Sequence, residues 1–229
     1  MSPESGVVLV TGGSSGLGEA VATGIRRSGG AAIVLDRVPP SRDFEFVRAD
    51  LARPREAESA VEAAARRHGR LDAVVAAAGT DACGKLADVP AEDWERVVMV
   101  NLIGTAAVVR AALPWLERTG GRVVTVASTL GLRAVSDATA YCASKFGIVG
   151  FTRALAAETA GRVGVTLLVP GGMNTSFFDG RDDQYKPPSD AALNRPEDVA
   201  AAVLFALAQP AGCEVRELLV APARESSWP

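Results

Sequence analysis

Tyr141 and Lys145 stand four positions apart in Tyr141-Cys142-Ala143-Ser144-Lys145. On a helix that spacing puts both side chains on one face, about one turn apart. A free phenol ionises near pH ~10 and is a poor base at neutrality, but a neighbouring ammonium favours the phenolate and lowers that value. Such a pair could give a proton to a carbonyl oxygen as hydride reaches the carbon, or take one from an alcohol in the reverse direction. Ser128 ends the apolar run Val123-Val124-Thr125-Val126-Ala127, where its hydroxyl could hold a substrate oxygen. By spacing alone neither feature is specific. A Tyr and a Lys four apart occur on many surface helices, and a serine at a strand end is commonly a cap.

Hydride chemistry needs a carrier, and the chain offers a place for one. Thr11-Gly12-Gly13-Ser14-Ser15-Gly16-Leu17-Gly18 follows an apolar strand and opens a helix. Gly12 permits a tight turn, Gly16 lets backbone N–H groups around Ser14, Ser15 and Leu17 approach a pyrophosphate, and Gly18 lets the helix pack close to the strand. A bare glycine turn is equally well structural punctuation; strand, glycines and helix together predict a bound dinucleotide. The second strand ends at Asp36, whose carboxylate can accept hydrogen bonds from the adenosine ribose hydroxyls, which favours NAD. Arg37 follows directly and could face a 2′-phosphate, so NADP is the lesser reading. The plain alternative for Asp36 is a turn cap.

The elements that must carry these residues alternate. Strands are predicted at 7–11, 31–36, 44–49, 71–77, 121–127, 163–169 and 215–220, and helices at 16–28, 54–68, 92–118, 138–160 and 196–208. Short aliphatic runs between longer segments of helical period predict an α/β fold, a doubly wound parallel sheet of seven strands covered on both faces. Pro54 and Pro196 suit first helical turns, and Gly29 and Gly69 suit helix ends. The irregular stretch 171–195, rich in Gly and Pro and carrying Phe177, Phe178 and Tyr185, is predicted to be a lid within one domain spanning 1–229.

Composition removes other chemistries. A formal net charge of -3 gives no basic field for nucleic acid. The three cysteines, Cys83, Cys142 and Cys213, are scattered and predict free thiols rather than a metal site. His68 is the single histidine, at a helix end, which removes Ser-His-Asp hydrolysis and leaves acid/base work to other side chains. Met1 to Ser5 run straight into an apolar strand, and no apolar run approaches the roughly 20 residues of a membrane helix. Neither secretion nor a membrane is therefore expected, and the cytoplasm is the default location.

Taken together, Thr11-Gly12-x-x-x-Gly16-x-Gly18, Asn101, Ser128, Tyr141-x-x-x-Lys145 and Pro170-Gly171 follow the order and spacing of the short-chain dehydrogenase/reductase family, which essentially the whole chain resembles. The resemblance implies a three-layer Rossmann fold and an enzyme interconverting a carbonyl and a secondary alcohol with NAD(P). It implies Tyr141 as general acid/base, Lys145 lowering its pKa and holding the nicotinamide ribose, and Ser128 orienting the substrate oxygen. Asn101 would interrupt its helix and hold a proton-relaying water. Asp50, with Leu51, would contact the adenine. Ala78 and Gly79 would line the cofactor, Pro170 and Gly171 would close the sixth strand beside it, and Thr175 would hold the carboxamide. Plain alternatives are a loop cap for Asp50, a buried amide satisfied by backbone for Asn101 and a solvated turn residue for Thr175.

One departure stands out. The family has two asparagines where this chain reads Ala76-Ala77, which puts the bracing of the central strands and some cofactor affinity in doubt. The substrate, a small molecule, would be walled by the residues after Ser128, by Cys83 and by Met173, Phe177, Phe178 and Tyr185; Arg133 is a solvent-facing charge or a partner for an anion. Apolar residues on the two long helices, Trp94, Val109, Trp115, Phe146, Phe151 and Leu155, fit the family's subunit pairing, so a homodimer or homotetramer is expected. Two other functions fit the same cradle: a redox sensor without turnover, and an epimerase or dehydratase that uses the cofactor transiently. An acid/base phenol has no use in the first, and the second usually carries a larger substrate domain.

Overall fold

β1 (Val7–Thr11) is buried along its whole length, as an aliphatic strand covered on both faces must be. Val7 and Leu9 join one apolar cluster while Val8 and Val10 join another, the two-residue alternation of a strand applied to two cores. In the computed structural model, which describes residues 6–225, 227 and 228, β1 lies between β2 (Ala31–Asp36) and β4 (Ala73–Ala76). Adding β3 (Glu45–Arg48), β5 (Arg122–Val126), β6 (Gly164–Pro170) and β7 (Glu217–Val220) gives a seven-stranded sheet ordered β3-β2-β1-β4-β5-β6-β7. Every pairing is parallel, with Leu9 opposite both Ile33 and Val74.

Two helices, α1 (Gly16–Arg27) and α6 (Pro196–Leu207), bury Val21, Ile25, Val199 and Val203 against one face. On the other face, α2 (Pro54–His68), α4 (Thr105–Thr119) and α5 (Thr139–Glu158) contribute Val61, Val108, Leu116 and Leu155. This is the doubly wound three-layer fold that the patterning predicts. From β1 the chain winds outward to β3, then returns to place β4 on the other side of β1. The carboxyl ends of β1 and β4 therefore flank the switch point where open α/β sheets bind ligands.

The structure departs from the predicted elements in instructive places. The helix predicted over 92–118 is α3 (Ala91–Val98), a π-helical turn at Met99–Gly104 and α4 in succession. Such a turn widens the backbone by one residue, a feature common at functional sites. By length and hydropathy this 29-residue run Ala91–Thr119 is long and apolar enough to cross a membrane, contrary to expectation, and half of its most apolar window is buried. Here its α4 part packs against α2 and the sheet. β4 is shorter than 71–77. Asp72 turns its carboxylate onto the Val7 N–H at 2.8 Å and pairs with Arg70 at 2.7 Å, while Ala77 N–H turns back to Val75 O. The segment 171–195 is not wholly irregular. It holds two 3-10 turns, Ser176–Phe178 and Asp183–Tyr185, and its ends are clipped by Asn174 N–H to Asn194 O and Asn194 N–H to Gly172 O.

Candidate active site

The loop between β1 and α1 can follow only one course because glycine makes it possible. Gly12 has φ 66°, and a Cβ there would lie 2.7 Å from the Ala78 Cα; a Cβ on Gly18 would collide with the Gly12 carbonyl. Both walls are backbone and cannot yield. Gly16 faces the Thr175 methyl, at 3.3 Å from an imagined Cβ. Ser15 stands at the N-cap of α1 without a side-chain capping bond, and Leu17 turns inward and is buried. The first turn of α1 thus aims its positive end and a free-standing hydroxyl into the cleft, the donor set that suits a pyrophosphate.

Asp36 is tied into this loop. Its Oδ2 accepts from Ser14 N–H at 3.2 Å, and its Oδ1 accepts from Arg37 N–H at 2.7 Å and Val38 N–H at 3.3 Å. Ser14 donates its hydroxyl to Val38 O at 2.5 Å. The carboxylate therefore caps the turn after β2 and also edges the cleft, so the two readings of Asp36 describe one geometry. Asp50 follows β3 and accepts from Ala52 N–H at 2.9 Å and from Arg96 at 3.2 Å. Partial burial raises its pKa, but the Ala52 N–H and the Arg96 guanidinium outweigh burial and hold it below the ordinary carboxylate range. Leu51 is buried, and Gly104 of the π turn lets the Leu51 carbonyl approach, since a Cβ there would lie 2.6 Å from that oxygen.

At the end of β4 the chain passes Ala76 and Ala77, where the family has asparagines. Thr11 compensates in part: its hydroxyl accepts the Ala78 N–H at 3.1 Å. The sheet pairing through Ala76 to Thr11 and Thr125 is intact, so the strands are braced by packing and by threonine. Beyond Gly79, Asn101 projects from the π turn and is only 1% exposed. Its Oδ1 accepts from Thr80 N–H at 2.8 Å, and its Nδ2 donates to Thr80 O at 2.9 Å and Ser144 Oγ at 3.0 Å. The amide is satisfied by protein, as the plain alternative had it, and it lies 3.6 Å from where a Gly79 Cβ would be, with Lys145 Nζ at 3.7 Å.

Ser128, Tyr141 and Lys145 meet at the carboxyl end of β5. Ser128 accepts from Leu130 N–H at 3.1 Å, which starts a 3-10 turn, and also hydrogen-bonds the Tyr141 phenol. Lys145 Nζ donates to Val126 O at 2.8 Å and lies 5.5 Å from the centre of the Tyr141 ring. The expected electrostatics differ in one respect. Burial pushes the Tyr141 phenol well above its ordinary value; the Ser128 hydrogen bond and Arg181 offset this only in part, and Asp81 adds to it. Lys145, buried itself, is lowered to about 8 despite the nearby Asp81 carboxylate. Burial thus acts on both members of the pair, raising the phenol and lowering the ammonium.

β6 ends at Pro170, and Gly171 N–H bonds Val220 O at 2.9 Å. Thr175 caps the first 3-10 turn by accepting the Phe177 N–H at 3.3 Å. The following lid lies on the catalytic cluster: the Phe177 ring centre is 5.7 Å from that of Tyr141 and 5.7 Å from that of Phe178. Cys83 donates its thiol to Asp81 at 3.1 Å, and burial with that carboxylate pushes the thiol up to about 12. Met173 is half-buried and packs against the apolar cluster on the α1 and α6 side. A cavity of about 560 Å³ opens within the lid, lined by Thr175, Phe178 and Leu193 among others, beside the site and not over Tyr141. Arg133 is exposed.

Three residues that the sequence reading did not single out belong here. Asp81 and Arg181 form an ion pair beneath the lid at 2.7 Å, and Glu225 accepts the Gly172 N–H at 2.7 Å next to the end of β6. The sequence signal for the first two was a charged residue two positions past Gly79 and another three positions past Phe178. Glu225 left none, because its partner is set by tertiary packing.

Residues 6–186 match the family described as short chain dehydrogenase, and the chain belongs to that family of oxidoreductases. An uncharacterised oxidoreductase of Staphylococcus aureus is 32% identical, with 94% of this chain and 96% of that protein covered. The glycine betaine reductase of Emericella nidulans is 33% identical over 97% of this chain, which spans 19% of that larger protein. Among solved structures, an alcohol dehydrogenase from the archaeon Thermococcus sibiricus, complexed with 5-hydroxy-NADP, superposes with a TM-score of 0.85 at 26% identity, covering 95% of this chain and 96% of that one. The aldohexose dehydrogenase of Thermoplasma acidophilum shares the fold, with a TM-score of 0.87 at 24% identity over 96% and 93% of the two chains.

Proposed function

We propose that this protein is an NAD(P)-dependent oxidoreductase that interconverts a carbonyl and a secondary alcohol, with Tyr141 as general acid/base. The observation that carries this reading is the Tyr141 phenol, hydrogen-bonded to Ser128 with Lys145 behind its ring, at the same sheet edge as the β1–α1 loop. The nicotinamide ring, when bound, supplies or accepts the hydride. Gly12, Ser14, Ser15, Gly16, Leu17 and Gly18 hold the pyrophosphate; Asp36 and Arg37 face the adenosine ribose. Asp50, Leu51, Ala78 and Gly79 line the adenine side, and Pro170, Gly171 and Thr175 line the nicotinamide side.

Ser128 orients the substrate oxygen toward the phenol. Tyr141 gives its phenolic proton to the carbonyl oxygen in reduction and takes it back from the alcohol in oxidation. Lys145 steadies the charge left on the phenol, and Asn101 holds the Gly79–Thr80 backbone beside it. Asp36 favours NAD, because a ribose 2′-phosphate would meet a carboxylate already fixed by three backbone N–H groups. The active form is a homodimer or homotetramer.

A panel of ketones and alcohols, followed through the absorbance of the reduced cofactor with NAD(H) and NADP(H) in parallel, tests this. Turnover of at least one carbonyl with NADH preferred by roughly tenfold or more is expected. A clear preference for NADPH overturns the role given to Asp36, and no turnover across the panel with cofactor bound overturns the reaction class.

A further inference from the structure

The wall facing Tyr141 carries a charge arrangement that the proposed reaction does not require. Arg181, in the lid, donates Nη2 to Asp81 Oδ2 at 2.7 Å, across 100 residues of sequence. The two side chains are 18% and 7% exposed respectively. The guanidinium carbon lies 5.0 Å from the ring centre of Phe177 and 4.6 Å from that of Phe178, and Phe177 in turn lies on Tyr141. Asp81 also accepts from the Ala82 N–H at 2.8 Å and the Cys83 thiol at 3.1 Å. A second carboxylate, Asp137, acts electrostatically on Cys83. Asp137, whose backbone carbonyl accepts the Gly84 N–H at 2.8 Å, has a buried Oδ1 with no hydrogen-bond partner among the described residues.

We infer that the Asp81–Arg181 pair is a latch that closes the lid over Tyr141 and restricts the site to uncharged carbonyl compounds and alcohols, an inference that rests on the reading of Tyr141 as the acid/base. An unpaired arginine beside a reactive phenol would be a carboxylate receptor. The charge of this one is offset by Asp81 and its guanidinium carbon lies over two phenyl rings, although its buried Nε has no hydrogen-bond partner among the described residues. The pair brings no net charge to this wall, and an anionic substrate that drew Nη2 away from Asp81 would leave that carboxylate as an unpaired buried charge. A neutral substrate leaves the pair intact and meets Phe177 and Phe178. Asp81 and Arg181 are therefore specificity-determining residues acting through the lid, not groups that touch the transferred proton.

Benzoylformate and its methyl ester carry the same ketone with and without a carboxylate, and benzoate is an unreactive anion of similar shape. The unaltered protein is expected to reduce the ester with kcat/KM about 100-fold above that of the acid. Asp81→Asn leaves Arg181 charged and unneutralised. It should narrow that ratio by about tenfold, through KM for the acid, and tighten equilibrium binding of benzoate by about tenfold, with or without NADH. The double variant Asp81→Asn, Arg181→Met should lose the gain, and Asp81→Ser serves if the asparagine variant is insoluble. A preference of the unaltered protein for the acid, or benzoate affinity unmoved by Asp81→Asn while the ester is still turned over, overturns the latch. Tighter benzoate binding in Asp81→Asn with neither ketone reduced upholds the latch and overturns the hydride-transfer reading instead.

Discussion

At the scale of single residues, the telling feature is a lysine held where its charge is costly. Lys145 is 4% exposed, and burial brings it from 10.5 to about 8. Its folded value lies below its unfolded one, so unfolding takes up a proton between those limits and stability rises with pH from about 8 to 10.5. At pH 7 the full penalty is present, on the order of 3 kcal/mol. Lys145→Met removes it and forfeits a hydrogen bond to Val126 O worth about 1 kcal/mol. The variant should therefore be inactive yet more stable at pH 7 by about 1–3 kcal/mol, with Tm higher by a few degrees and the difference shrinking toward pH 10. Calorimetry at the two pH values checks this; an equal or lower Tm at pH 7 would show that the ammonium is better solvated than its burial implies. The residues of this cluster were legible because the relevant geometry is local: four positions on a helix place Tyr141 and Lys145 together whatever else the fold does. Their electrostatics were not legible, since desolvation depends on the lid and sheet that close around them.

At the scale of elements, the strands and helices could be read from period and punctuation, and the errors fall where backbone hydrogen bonding changes without a change in composition. The π turn at Met99–Gly104 is such a place, since apolar residues continue through it. It matters because it presents Asn101 to both backbone groups of Thr80 and to Ser144. Asn101→Ala leaves the half-buried N–H and C=O of Thr80 without their partner, while Ser144 keeps its bond to Tyr141 O, at a cost of about 1–3 kcal/mol for each group that water cannot reach. Urea denaturation should show a lower midpoint with an unchanged slope, together with reduced turnover. A midpoint within error of the parent would mean that the amide is not holding the Gly79–Thr80 loop. The pairing of the lid with the β4 loop through Arg181 and Asp81 was likewise illegible, being fixed by a contact 100 residues apart in the chain.

At the scale of the whole molecule, the sheet order brings the glycine loop of β1 and the Tyr141 helix to one edge, and the resemblance noted from scattered motifs becomes a single site. The outward apolar residues divide. Val109 and Leu155 are core at 1% and 4% exposure, and Trp115 and Phe151 pack against that core, whereas Phe146 is 45% exposed and Ile103 41%. Of the apolar residues on the two long helices, Phe146 and Ile103 are exposed and Trp94 is half-buried, so these are the ones open to subunit pairing. Light scattering on the purified protein should give a dimer or tetramer, and Phe146→Glu should shift it toward smaller species; a monomeric parent would contradict the assembly. The central claim, that a protonated phenol beside a bound nicotinamide does the chemistry, joins both halves of the molecule. Tyr141→Phe tests it most directly, with NADH affinity measured alongside turnover of a carbonyl that the parent reduces. The account predicts affinity within about twofold of the parent and kcat lower by about 10³-fold or more. Turnover near the parental rate, with the cofactor bound, would contradict it.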